Sequence, residues 1–237
     1  MKQGYLPRQH GAWAMLIIPF LFGMFAAGPA PVHALLFAGW LLAYLFSYAG
    51  LQWIRTRKER FRKPACLYGG LLAPIGAALM VWRPALAIYA LPYLPLLAVN
   101  AYYARRNRER AFVNDLIAVV QFSLMTFVAY TAGGGDDWRV PAELFALSVA
   151  YFTGTIFYVK TMIREKHSIH YYRASVGYHL VLLAAGAVWS PVLAVPFAVL
   201  LVRAVWSPRA KLTVKQTGIL EIVYSVLFAG TVLLFVL

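Results

Sequence analysis

Acidic side chains are scarce in this chain: 8 Asp and Glu stand against 22 Lys and Arg in 237 residues, a formal net charge of +14. No cluster of His, Cys and carboxylates with metal-ligand spacing stands out. Cysteine is scarcer still, and the single Cys66 excludes an internal disulfide and a thiolate metal cluster. No nucleophile constellation stands out, and no glycine loop is followed by a phosphate-binding lysine; "AGGGD", Ala132 to Asp136, reads as a flexible connection. Polar surface is also lacking. Only 13% of residues are charged while 62% are hydrophobic, too little to cover a water-facing exterior of this size. The apolar stretches do not alternate with polar residues, which excludes a closed β-barrel.

What the chain does have is long apolar runs, each near the ~20 residues needed to cross hydrocarbon as a helix. They predict an all-α, polytopic transmembrane bundle of about nine helices, at roughly 11–28, 33–53, 65–82, 84–102, 114–132, 141–160, 172–189, 191–207 and 217–236. Breaks fall at "GPAP", "WRPA", "GGGDDWRVP" and "SP", where Gly and Pro punctuate. Around Arg83 and Ser190 the connections are short enough for two spans to form one bent hairpin. The first run ends in "AAGPA", but Pro29 and Pro31 flank that would-be cleavage point, so a retained helix is expected rather than a secretory signal. Residues 1–237 form one integral membrane domain on this reading, with two pseudo-repeat halves at roughly 1–112 and 113–237.

The cations sort by loop. Lys2 and Arg8, the turn "WIRTRKERFRKP" (Trp53 to Pro64), "ARRNRER", "KTMIREKH" and the stretch from Arg209 to Lys215 fall on one side. The other side holds little beyond Arg83, Arg139, Asp136, Asp137 and Glu143. The lysine/arginine bias of short loops makes the basic side, with the N-terminus, cytoplasmic. A basic turn can simply rest on anionic headgroups as a topology signal, or it can line a pocket for an anion. Charges confined to such loops exclude nucleic acid as the partner.

Two turns resemble each other. "RTRKER" closes the second span and "KTMIREK" the sixth, about 105 residues apart, as parallel membrane repeats would place them. If the second span runs on into its turn, Arg55, Glu59 and Arg62 share one helical stripe, and Lys160 and Arg164 are likewise four apart. Converging stripes would make a basic mouth suited to phosphate or diphosphate, for which Arg supplies bidentate donors and Lys a point charge. Arg55, Arg57, Arg105, Lys160 and Arg164 are the expected phosphate ligands, with Glu59 and Glu165 orienting them.

"PRQHGAWAMLIIPF", Pro7 to Phe20, with "RTRKERFRKP" and "FYVKTMIREK", resembles the YwiC-like family of bacterial membrane proteins across essentially the whole chain. More distantly, the plan resembles UbiA-type intramembrane prenyltransferases. That resemblance implies a UbiA-like bundle housing a lipid tail, with Mg²⁺ bridging Asp-rich turns to a prenyl diphosphate. Here the turns offer only Glu59 and Glu165, and the sole aspartate on that side is Asp115, so Mg²⁺ is disfavoured and no cofactor is expected. Direct neutralisation of phosphate by cations remains.

Polar groups within the spans are the remaining candidates. Gln9 and His10 open the first span. Gln52 and Asn100 sit about a turn from the basic side, where either lines a cavity or bonds a neighbouring helix; Gln121, deeper, reads as interhelical glue. His179 lies about two turns into the seventh span and can exchange protons near neutrality. Arg203 and Glu221 read as a structural ion pair. The expected function is binding of an isoprenoid or other lipid phosphate at a basic cytoplasmic-side cavity, with His179, Asn100 and Asp115 at the reacting end if group transfer occurs. Proline-kinked spans (Pro19, Pro74, Pro92, Pro95, Pro196) make a small transporter the alternative; a non-catalytic partner in a membrane complex is the third.

Overall fold

The computed structural model describes residues 5–7, 10–210 and 212–237. Lys2, Arg8, Gln9 and the side chain of His10 lie outside the described residues. Among the described residues all regular structure is helical and groups into nine segments, as the apolar runs predict. These are α1 (His10–Ala27), α2 (Pro31–Thr56), α3 (Glu59–Trp82) and α4 (Ala90–Arg105), the last entered through a 3₁₀ turn at Pro84–Tyr89. Next come α5 (Phe112–Ser123) with α6 (Met125–Gly133), and α7 (Arg139–Val159), which runs into a π turn at Lys160–Arg164. The remainder is α8 (Ile169–Trp189), a 3₁₀ turn at Pro191–Leu193 leading into α9 (Ala194–Trp206), and α10 (Val214–Phe235).

The ends follow local chemistry. Pro31 opens α2 at a position where its missing N–H is not needed. Arg57 takes left-handed backbone, φ 54°, and closes α2. Both short connections are true breaks: Arg83 and Ser190 leave helical backbone, and Pro84 and Pro191 then start 3₁₀ turns. Thr213 caps α10 by accepting from the Gln216 N–H, while the Gln216 side chain accepts from the Thr213 N–H.

Among the described residues six helices are long and apolar enough to cross a membrane, and Gly11–Ala27 and Pro191–Trp206 are shorter apolar helices. In α3 only 17% of the most apolar window is buried within the protein. Side chains such as Val81, Leu91, Val188 and Leu234 are likewise exposed. Apolar surface on this scale, with backbone bonds satisfied inside helices, suits hydrocarbon and not water. The chain is a helical membrane protein.

Two compact units divide the chain. The first comprises the described part of Met1–Gln9 with Pro19–Phe145. Its core joins Phe20, Val32, Leu36, Leu79, Met125, Val128 and Ala129. Gly23 lets α1 approach α6 so closely that an added Cβ would run into the Thr126 carbonyl. His33 ties the start of α2 to α6: its Nδ1 accepts from the Ala30 N–H and its Nε2 donates to the Ala129 carbonyl, 2.9 Å each. The second unit comprises His10–Ile18 and Ala146–Leu237. Its aromatic centre stacks Tyr151 on Phe228 at 4.2 Å, with Phe197 beside it.

Candidate functional sites

In the first unit, the last turn of α2 presents Gln52 and Arg55 three residues apart, hence on one face. The Arg55 Nη2 donates to Gln52 Oε1 at 2.8 Å. The Arg55 Nη1 donates to Glu109 Oε2 at 2.6 Å, and Gln52 Nε2 donates to Glu109 Oε1 at a longer 3.4 Å. Both oxygens of one carboxylate are thus held by a two-pronged donor built on α2. Glu109 lies in the loop between α4 and α5. That loop turns through Asn107 at φ 55°, a backbone region Asn tolerates, and is pinned by Asn114 Nδ2 donating to the Glu109 carbonyl at 2.8 Å.

The contact joins two basic stretches, Arg55 to Lys63 and Arg105 to Arg110, which hold ten cations and two carboxylates between them. All ten of those cations are exposed, the Arg55 side chain by one-third. Arg57 lies over the Trp53 ring at 5.6 Å and Arg106 over Tyr102 at 5.5 Å. Arg105 is exposed in the last turn of α4.

The expected stripe of Arg55, Glu59 and Arg62 is not formed. The left-handed residue Arg57 ends α2 and reverses the chain, so Glu59 opens a different helix. There Glu59 accepts from Arg62 at 3.1 Å on an exposed face, and Arg55 takes Glu109 instead. Lys160 and Arg164 open and close a π turn, in which the Glu165 N–H reaches the Lys160 carbonyl at 2.7 Å. Lys160 is buried, Arg164 exposed and Glu165 half-buried.

Asn100 is buried and its amide donates to the Leu96 carbonyl at 3.0 Å and to Gln121 Oε1 at 2.7 Å. It bridges α4 to α5, with Gln121 in the bonding role expected of it. Asp115 is half-buried in the first turn of α5, where a carboxylate complements the helix dipole.

The second unit contains a buried polar cluster. Arg203 of α9 donates through Nη1 to Glu221 Oε1 of α10 at 2.5 Å, and both side chains are almost fully buried. Its Nη2 lies 3.3 Å from His179 Nε2, while His179 Nδ1 meets the Ser175 carbonyl at 2.7 Å. A carbonyl only accepts and a guanidinium only donates, so His179 is neutral with its proton on Nδ1. The guanidinium also lies over the Tyr158 and Tyr224 rings, at 4.1 and 5.0 Å. Gly154 lets α7 pass this imidazole: a Cβ there would lie 3.1 Å from Nε2. The Arg203 Nε and Glu221 Oε2 have no aligned hydrogen-bond partner.

Glu59 and Glu109 each serve a guanidinium, and among the described residues no three His, Cys, Asp or Glu side chains cluster.

Spacing within a single turn pointed at Glu59 and so missed Glu109, which lies 54 residues from Arg55. The available signal was a lone glutamate between arginines in "ARRNRER". Tyr158 and Tyr224 were hidden among the many aromatics of the spans.

Residues 6–130 match a family described as YwiC-like protein. A Bacillus subtilis (strain 168) protein described as "Uncharacterized protein YwiC" is 37% identical over 241 residues, 98% of either chain. A Haemophilus influenzae (strain ATCC 51907 / DSM 11121 / KW20 / Rd) protein described as "Uncharacterized protein" is 32% identical over 230 residues, 94% of either chain. No solved structure matches significantly.

Proposed function

The chain belongs to the YwiC-like family, and we propose that it binds an anionic lipid phosphate at the basic end of its first unit. The setting is the bacterial inner membrane, with N-terminus and basic loops on the cytoplasmic side, as the charge bias of the loops argues. One observation carries the reading: the Glu109 contact joins two basic stretches, ten cations in all, at the ends of apolar helices. A phosphate there meets bidentate guanidinium donors, while its acyl or isoprenoid chains remain among lipid-facing helices. Arg55, Gln52, Arg57 and Arg105 are the proposed ligands. Lys160, Arg164 and Glu165 of the second unit form a further basic turn, and replacing Lys160 and Arg164 by Gln should lower the retained lipid phosphate if that turn also binds it.

Binding is favoured over group transfer. The Asn100 amide is committed to α5 and α4 neighbours, and both His179 nitrogens are engaged, so neither stands ready to move a proton. A UbiA-like prenyl transfer through Asp115 is the catalytic extension of the reading, without magnesium. Mass spectrometry of lipids retained by the purified protein tests the proposal. Phosphate-bearing anionic lipids should be enriched over their membrane abundance, and replacing Arg55, Arg57 and Arg105 together by Gln should abolish the enrichment. Equal lipid content in wild type and variant would refute it.

A transporter is the second reading, supported by the buried ionised cluster of Arg203 and Glu221, since such groups within spans often mark solute paths. Uptake of a small solute into proteoliposomes by the wild-type protein, absent from protein-free vesicles, would favour it.

A further inference from the structure

The carboxylate of Glu109 is held as a ligand would be. Two donors from α2, Arg55 Nη1–H and Gln52 Nε2–H, reach its two oxygens, and the third contact, Arg55 Nη2–H to Gln52 Oε1, fixes the donors relative to each other. A phosphate monoester offers the same O–X–O edge with more negative charge, and guanidinium donors favour it accordingly. We infer that Gln52 and Arg55 form a phosphate-binding fork whose resident occupant is the protein's own Glu109, an internal competitor displaced when phosphate binds. This inference rests on the lipid-phosphate reading and identifies the place in the basic face where the phosphate docks.

Three features make displacement feasible. The pair is partly exposed, with side chains 33% and 19% accessible, so solvent weakens it. The Gln52 contact is long at 3.4 Å and releases easily. Glu109 also lies between Arg108 and Arg110 in the chain, so a displaced carboxylate stays among cations. Its departure uncovers a guanidinium that is already one-third exposed in a basic surface. The loop's anchor is independent of the carboxylate, because Asn114 holds the Glu109 backbone carbonyl.

The competitor predicts an inverted mutational effect: removing an acidic residue from the site strengthens binding. Full-length protein in phosphatidylcholine nanodiscs is titrated with phosphatidic acid and, separately, with inorganic phosphate. Glu109→Gln should bind phosphatidic acid about two- to fivefold more tightly than wild type, the scale of a half-exposed ion pair. Glu59→Gln removes the same charge from the same basic face while leaving the fork alone, and should give a clearly smaller gain. Gln52→Leu should weaken binding in both backgrounds. A gain with inorganic phosphate as well assigns the effect to the phosphate group; a gain with lipid alone assigns it to the headgroup at the membrane. Equal gains in Glu109→Gln and Glu59→Gln, or none in Glu109→Gln, overturn the competitor. Absence of phosphatidic acid binding in wild type and every variant overturns the lipid-phosphate reading itself.

Discussion

Two arginine–glutamate pairs of nearly equal length mark the two units. Arg55 meets Glu109 at 2.6 Å and Arg203 meets Glu221 at 2.5 Å. The first sits at a helix end, one-third exposed, backed by a single amide and surrounded by further cations. The second is enclosed, with a neutral imidazole and two tyrosine rings completing the guanidinium's surroundings. Distance alone does not separate them; dielectric does. Coulomb attraction between such charges grows severalfold from a solvated to a buried setting, but so does the cost of leaving either charge alone. The exposed pair can open and accept another anion. The buried pair holds three helices to one arrangement.

The largest break in that comparison comes from cutting the buried pair on one side. Glu221→Gln or Arg203→Gln should destabilise the protein by about 3–5 kcal/mol in detergent unfolding, because one charge is left in an apolar interior. Replacing both, as Arg203→Met with Glu221→Leu, should recover most of that loss; a double variant no more stable than either single one would place the stability elsewhere. Next, Gly154→Ala inserts a methyl against His179 and should cost about 1–3 kcal/mol by overpacking, read as a lowered unfolding midpoint with helicity retained. Smallest is the exposed pair: Arg55→Gln or Glu109→Gln should shift stability by no more than about 1 kcal/mol, and the shift should shrink in high salt. A loss at Arg55 as large as at Arg203 would erase the distinction between the two sites.

Much of this architecture was legible because apolar runs, Pro and Gly act locally. All nine segments lie where hydropathy puts them, and Pro84 and Pro191 settle the junctions at Arg83 and Ser190 as breaks. The π turn at Lys160–Arg164 was not legible, since nothing in "KTMIR" distinguishes a wide turn from an α-helical one. The sites were half legible. Gln52 and Arg55 stand out as polar groups near a span's end, and Arg203 with Glu221 as lone charges in apolar helices. Glu109 did not, because its partner is set by the fold of a distant loop while Glu59, four residues from Arg55, offered a nearer match. The left-handed backbone at Arg57 defeats that match, and Arg is not a residue type that announces such a conformation. His179 was visible as a buried titratable group, yet its engagement by Arg203 depends on how α8 and α9 pack.

The central claim is that the basic end of the first unit holds a lipid phosphate. Native mass spectrometry of the protein in detergent doped with equal phosphatidic acid and phosphatidylcholine tests it most directly. Wild type should carry phosphatidic acid adducts in clear excess, reduced to parity when Arg55, Arg57 and Arg105 are replaced by Gln. Equal adducts of both lipids on wild type would contradict the account.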